Sequence, residues 1–203
     1  MAAILDRQHT GKSAHSTDLG AWADLDGDVQ QDLEEREALL TPYYLLEAEG
    51  WLRQRGHAVI PISDGAYWER HARAATYARQ LPDTRFAYVA AHLNTAEPPG
   101  DYGAIFFDYR SSNGEDLAEA IAATLASRCP ELARVRVIPA RHDDWTASAY
   151  ATIQGIYAGP ANLSAVTYEP CFLNQPQHAA LLGEAGLRRL GQALAEGVHA
   201  WAE

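Results

Sequence analysis

The chain has 203 residues, 47% of them hydrophobic and 21% charged, which is enough for one sizeable core and too apolar for a disordered or fibrous polymer. Its formal net charge is −11, and the 16 Lys and Arg are scattered, so a nucleic-acid backbone is a poor partner and an anionic membrane surface a worse one. Two cysteines, Cys129 and Cys171, are too few for a disulfide framework and form no CxxC pair.

The first residues, Met1 to Asp6, carry neither a basic region nor a long apolar stretch, so no signal peptide is expected. No apolar run approaches the roughly 18 residues of a membrane span. The sequence therefore predicts a soluble protein without membrane insertion, cytoplasmic as synthesised.

Taken in chain order, the elements alternate between short apolar runs and longer helical patterns. The first strand is expected at Ala2 to Asp6. Ser13 to Asp32 is rich in Ser, Asp and Gly without periodicity and reads as a long loop. Within it, Asp24 to Asp28 has the look of a calcium loop, but the full spacing, with a terminal Glu after the glycine, requires a helix-loop-helix that the flanking sequence does not supply. A helix is expected over Thr41 to Arg55, with Leu45, Ala48 and Leu52 on one face and Gly56 past its end. Pro42 is tolerable in a first turn, which puts Glu37 at or just before the helix N-terminus.

Strand, helix and strand follow at His57 to Ile62, Tyr67 to Gln80 and Phe86 to Ala91. Further strands are expected at Gly103 to Tyr109, Val135 to Ile138 and Ser164 to Tyr168. Further helices are expected at Glu115 to Ser127, Trp145 to Tyr157, Gln177 to Leu182 and Glu184 to Ala202. Strands this short and apolar are buried on both faces. The alternation predicts an α/β fold: residues 1–203 as a single domain, with a mostly parallel twisted sheet of about six strands flanked by helices on both faces.

In open α/β sheets, ligands gather at the carboxyl edge of the strands. His9 follows the first strand, His92 ends the third and Glu169 ends the last, which brings all three to one edge. A catalytic zinc takes three protein ligands from imidazoles and a carboxylate and leaves a position for water. His9, Glu37 and His92 form such a set, and Glu169 is the candidate general base beside it. Taken singly, a His at a strand end is more often a hydrogen-bonded structural residue and a lone Glu more often a surface one.

The order and surroundings of these residues resemble the zinc-dependent N-acetylmuramoyl-L-alanine amidase family over nearly the whole chain. Four motifs carry the resemblance: Asp6-Arg-Gln-His9-Thr-Gly11 after the first strand, Glu37 before a helix ending in Gly56-His-Ala-Val59, His92-Leu-Asn94, and Glu169-Pro-Cys-Phe172-Leu-Asn174. The closing helix, Leu187 to Trp201 with Gly197, is similar too. The resemblance implies Zn2+ held by His9, Glu37 and His92, with Glu169 as catalytic base. It implies peptidoglycan or muropeptide as substrate, cut at the amide between N-acetylmuramic acid and L-alanine. One departure concerns the loop at His9: the family's Pro-Gly before the His is Arg7-Gln8 here, and its Gly-Gly after it is Thr10-Gly11.

Other residues are weighed against bland roles. Arg7, Asn94 and His142 are candidate substrate contacts, each of which also suits a salt bridge, a turn or a solvated loop. His15, His57, His71, His178 and His199 lie in no motif and read as structural or surface. Cys171 has no activating partner and reads as a small buried side chain. Two rival functions stay open: a zinc amidohydrolase of the same fold acting on another N-acyl amino acid or peptide, and an inactive peptidoglycan-binding domain. An amidase without a signal would reach the wall by a holin-like route, which suits a phage or prophage lysin made of the catalytic domain alone.

Overall fold

Six short runs of the chain, four of them buried along nearly their whole length, form one sheet. In a computed structural model that describes residues 1–9, 19–25, 28, 36–141 and 159–203, they are β1 (Ala2–Arg7), β2 (Ala58–Ile62), β3 (Phe86–Ala91), β4 (Tyr102–Asp108), β5 (Arg134–Ala140) and β6 (Leu163–Glu169). The helices are α1 (Glu37–Gln54), α2 (Tyr67–Gln80), α3 (Ser112–Arg128), the single turn α4 (Ala179–Leu182) and α5 (Glu184–Ala202). The helix expected over Trp145 to Tyr157 lies outside the described residues.

The strand order is β2-β1-β3-β6-β4-β5. β2, β1, β3 and β6 run parallel, and β4 and β5 run parallel to each other, but β4 pairs antiparallel with β6. The mostly parallel sheet thus contains one reversal. Residues 92–101 between β3 and β4 include no helix. Without a helical crossover the chain does not return to the starting edge, so β4 sets off in the opposite direction.

Alternation sorts each strand's side chains between two layers. Ala3, Leu5, Val59, Val89, Ile105, Phe107 and Val166 pack against α1, α3 and α5, while Ile4, Ile62, Phe86, Phe106 and Ala165 pack against Ala74, Ala75 and Ala78 of α2. The helices of the first layer approach closely. A Cβ on Gly191 of α5 would lie 2.2 Å from the Tyr44 carbonyl oxygen of α1, so only glycine permits this crossing.

The helix α1 begins four residues earlier than its sequence suggests, because its N-terminus carries no capping side chain. Arg36 stands at the N-cap, and its side chain does not cap the helix. The first-turn donors are taken instead by backbone: Glu37 N–H donates to Ala21 O and Ala38 N–H to Leu19 O, both at 3.0 Å. Loop residues 19–22 therefore seal the helix end, a job that Ser, Thr or Asp does elsewhere. Pro42 consequently sits inside the helix and not in its first turn.

On the α2 face, His71 packs edge-on to Tyr88 at a 6.0 Å ring separation. Burial, aided by the Arg70 charge beside it, pushes the His71 imidazole down to about 4 from 6.5. A depressed imidazole favours the neutral folded form, so its contribution is complete above pH 6.5 and is lost as pH falls from there towards 4. Denaturant titrations should show stability dropping by about 3 kcal/mol over that window, and His71→Phe should flatten the slope. An unchanged slope in the variant would assign it to other groups.

Candidate metal centre

The parallel block of the sheet delivers the ends of β1, β3 and β6 to one edge, and α1 brings its N-terminus to the same place. Glu37, 2% exposed, is the anchor. Its Oε1 accepts from Leu93 N–H and its Oε2 from Ala21 N–H, both at 2.9 Å. Oε1 also faces two imidazoles, lying 2.9 Å from His92 Nδ1 and 3.2 Å from His9 Nε2. Burial alone would raise this carboxyl, but its hydrogen bonds with His9 and His92 outweigh burial and hold it far below the ordinary glutamate value.

The two imidazole nitrogens approach to 2.9 Å, with the rings edge-on. One ligand atom from each of His9, Glu37 and His92 lies within 4.8 Å of the others, so the three could hold one metal ion. Two imidazoles and a carboxylate are the donor set of a catalytic zinc, and Glu37 is already oriented by two backbone N–H groups as a ligating carboxylate is. The residues fit the ion that the sequence implies.

Backbone geometry aims these side chains. His9 adopts a left-handed conformation, φ 49°, which turns the chain sharply after β1. Gly20, at φ 74°, presses against the cluster, and a Cβ there would lie 2.4 Å from Glu37 Oε2 and 2.7 Å from His9 Cγ. Tyr44, fully buried on α1, donates its hydroxyl to the His92 carbonyl at 2.9 Å. Burial first, then Tyr168, Glu37, Cys171 and Glu169 around it, hold the Tyr44 phenol well above its ordinary value, so it remains a donor.

Glu169 ends β6, 7% exposed. β3 and β6 stay in register through Ala91 and Tyr168, and His92 N–H extends the ladder to Tyr168 O at 3.0 Å. The next residues along, His92 and Glu169, therefore stand side by side at the roughly 4.8 Å spacing of neighbouring strands. Asn94 continues the stitch with its backbone, donating to Cys171 O at 3.0 Å and accepting from Leu173 N–H at 2.8 Å.

Behind the cluster lies a second buried network. Arg70, with no exposure, pairs with Asp6 at 2.8 Å and also donates to the carbonyls of Arg7, Gly65 and Ser63. Gln8 and the Tyr88 hydroxyl donate to the same Asp6 carboxylate. Burial raises the Asp6 carboxyl despite the pull of Arg70. This network fixes the strand end from which His9 turns.

Arg7 has a structural task. Its guanidinium donates to the carbonyl of Ala38, the one that Pro42, four residues on and lacking an N–H, cannot satisfy. The side chain thus replaces the missing hydrogen bond one residue from Glu37. In a double-mutant cycle read by denaturant unfolding, Arg7→Met should cost about 1.5–3 kcal/mol in the parent. Once Pro42→Ala supplies the absent N–H, the same substitution should cost less than half as much, and equal costs in both backgrounds would refute the coupling.

His142 lies outside the described residues. The strand leading to it, β5, ends at Ala140 beside Asp108, at the edge opposite the cluster. The acidic run Asp24 to Asp28 falls partly outside the described residues. Cys171 is buried, and burial pushes its thiol far up, as suits an inert side chain. Sequence reasoning did not single out Gly20, Tyr44 or Arg70. The turn-prone Leu19-Gly20 hinted at the first, while the other two are visible only from tertiary contacts.

The chain has the fold of solved N-acetylmuramoyl-L-alanine amidases. Among them, the CwlD amidase of Clostridioides difficile, solved in complex with the GerS lipoprotein, aligns over 98% of this chain and 97% of its own at 18% identity and a TM-score of 0.69. AmiC2 of Nostoc punctiforme aligns over 99% and 96% at 15% identity and 0.71. Ami1 of Mycobacterium smegmatis aligns over 100% and 96% at 17% identity and 0.70. No family model and no curated protein matches the sequence. Among the described residues, no helix is long and apolar enough to cross a membrane.

Proposed function

We propose that this chain is a single catalytic domain, a zinc-dependent amidase that hydrolyses the bond between the lactyl group of N-acetylmuramic acid and L-alanine in peptidoglycan. The observation that carries the reading is the convergence of His9, Glu37 and His92 beside Glu169, in a fold shared from end to end with enzymes of that activity.

Zinc held by the three side chains supplies Lewis acidity to the scissile carbonyl and to an attacking water. The protein does the rest. Glu37, pinned by Leu93 and Ala21 N–H groups, keeps its charge at the site and fixes both imidazoles. Glu169 takes the proton of the attacking water and hands it to the departing alanine amine, leaving a lactyl carboxylate and a free amino terminus. The altered His9 turn, with Arg7 tied to α1, favours one second reading, an amidohydrolase of the same chemistry on smaller N-acyl amino acids or peptides. A phage or prophage lysin released by a holin-like route is the biological setting we propose.

Purified sacculi incubated with zinc-loaded protein should release stems with new alanine amino termini, each cut adding one water by mass spectrometry. Chelation should stop release and added zinc restore it. Activity on soluble acyl amino acids alone would select the second reading. Failure to bind zinc would sink both.

A further inference from the structure

At the edge of the sheet remote from His9, two more imidazoles meet. His57 follows α1, and His199 lies in the last turn of α5, 142 positions away. His57 Nε2 approaches His199 Nδ1 to 2.8 Å, the rings tilted with centroids 5.0 Å apart. The other nitrogen of His199, Nε2, lies 3.4 Å from the Glu203 carboxylate.

The arrangement has the parts of a cation site. Ligating histidines commonly give their second ring nitrogen to a carboxylate, which fixes tautomer and orientation, and Glu203 stands in that position for His199. The carboxyl-terminal ends of two helices, α1 at Gln54 and α5 at Ala202, converge here, and both present negative dipole ends. The nearby guanidinium of Arg55 is stacked on Trp51 at 3.3 Å from the ring centroid, and Trp51 in turn meets His199 edge-on. A tetrahedral ion with metal–nitrogen distances near 2.0–2.1 Å needs donor nitrogens roughly 3.4 Å apart. The pair would open by about half an ångström, within the reach of two partly exposed side chains.

We propose that His57 and His199, with Glu203 behind His199, form a second site for a divalent transition cation of imidazole preference, separate from the His9 cluster. It bridges the ends of α1 and α5, completes its coordination with water, and binds more weakly than a three-ligand centre. Zinc belongs to this class, as do nickel and copper.

Zinc titration of the full chain, read by metal analysis and calorimetry, should give two equivalents per chain. His57→Gln with His199→Gln should lose the weaker and keep the tighter, whereas His9→Gln with His92→Gln should do the reverse. Imidazole nitrogen NMR on the unaltered protein gives a readout that requires no variant. The second equivalent should shift His57 Nε2 and His199 Nδ1 together. One equivalent in the parent chain, or a second equivalent that leaves those two resonances still, overturns the proposal, and the pair is then a plain imidazole–imidazole hydrogen bond.

Discussion

Glu169→Gln should lower turnover about 10²–10⁴-fold, the contribution of a positioned general base, while leaving zinc content and fold unchanged. The substitution keeps the size and shape of a 7%-exposed side chain beside His92 and removes only its ability to accept and return a proton. Binding does not need that proton, so the loss should fall on kcat with KM little altered. A variant that cleaves sacculi at the parental rate would remove Glu169 from the chemistry and leave the cluster without its base.

The largest loss of stability should come from Arg70→Met. The substitution preserves the apolar stem but strands Asp6, which has no exposed surface and, among the described residues, keeps only Gln8 and Tyr88 as side-chain donors. Breaking a buried pair by removing one partner costs about 3–5 kcal/mol, a fall in Tm of roughly 10 °C for a domain of this size. Because Arg70 also holds the Arg7 carbonyl, the turn that presents His9 should loosen, weakening zinc affinity about 10- to 100-fold, as loss of an outer hydrogen bond does at such centres. Adding Asp6→Asn should recover a good part of the stability. A double variant no better than Arg70→Met alone would show that the carbonyl contacts, and not the buried charge, set the cost.

Much of the architecture could be read before any coordinates. β3, α2 and α5 begin and end where apolar runs and helical periodicity put them, since each is long or uniformly buried enough for the pattern to dominate. The same reading brought His9, His92 and Glu169 to one edge, and the parallel pairing of β1, β3 and β6 does so. Strand direction was harder. Alternating strands and helices predict a mostly parallel sheet, as found, but not which strands reverse; the sign of that is the helix-free stretch 92–101, which cannot complete a crossover. The start of α1 was misplaced because Pro42 looks like a first-turn residue, when its lost hydrogen bond is in fact made good by Arg7. Arg7 itself could be read as a substrate contact or a salt bridge, and neither reading includes a carbonyl partner 31 residues away. His57 and His199 carried no motif and meet only because two helix ends converge.

The crossing at Gly191 has a mechanical consequence. The first helix holds Glu37 at its tip and, two turns on, the Tyr44 hydroxyl that braces His92. Gly191 lets the terminal helix seat flush on the backbone at Tyr44, so that distant segment acts as a splint for Glu37 and His92 at once. Prying the splint away would slacken two of the three clustered side chains together, without touching any of them directly.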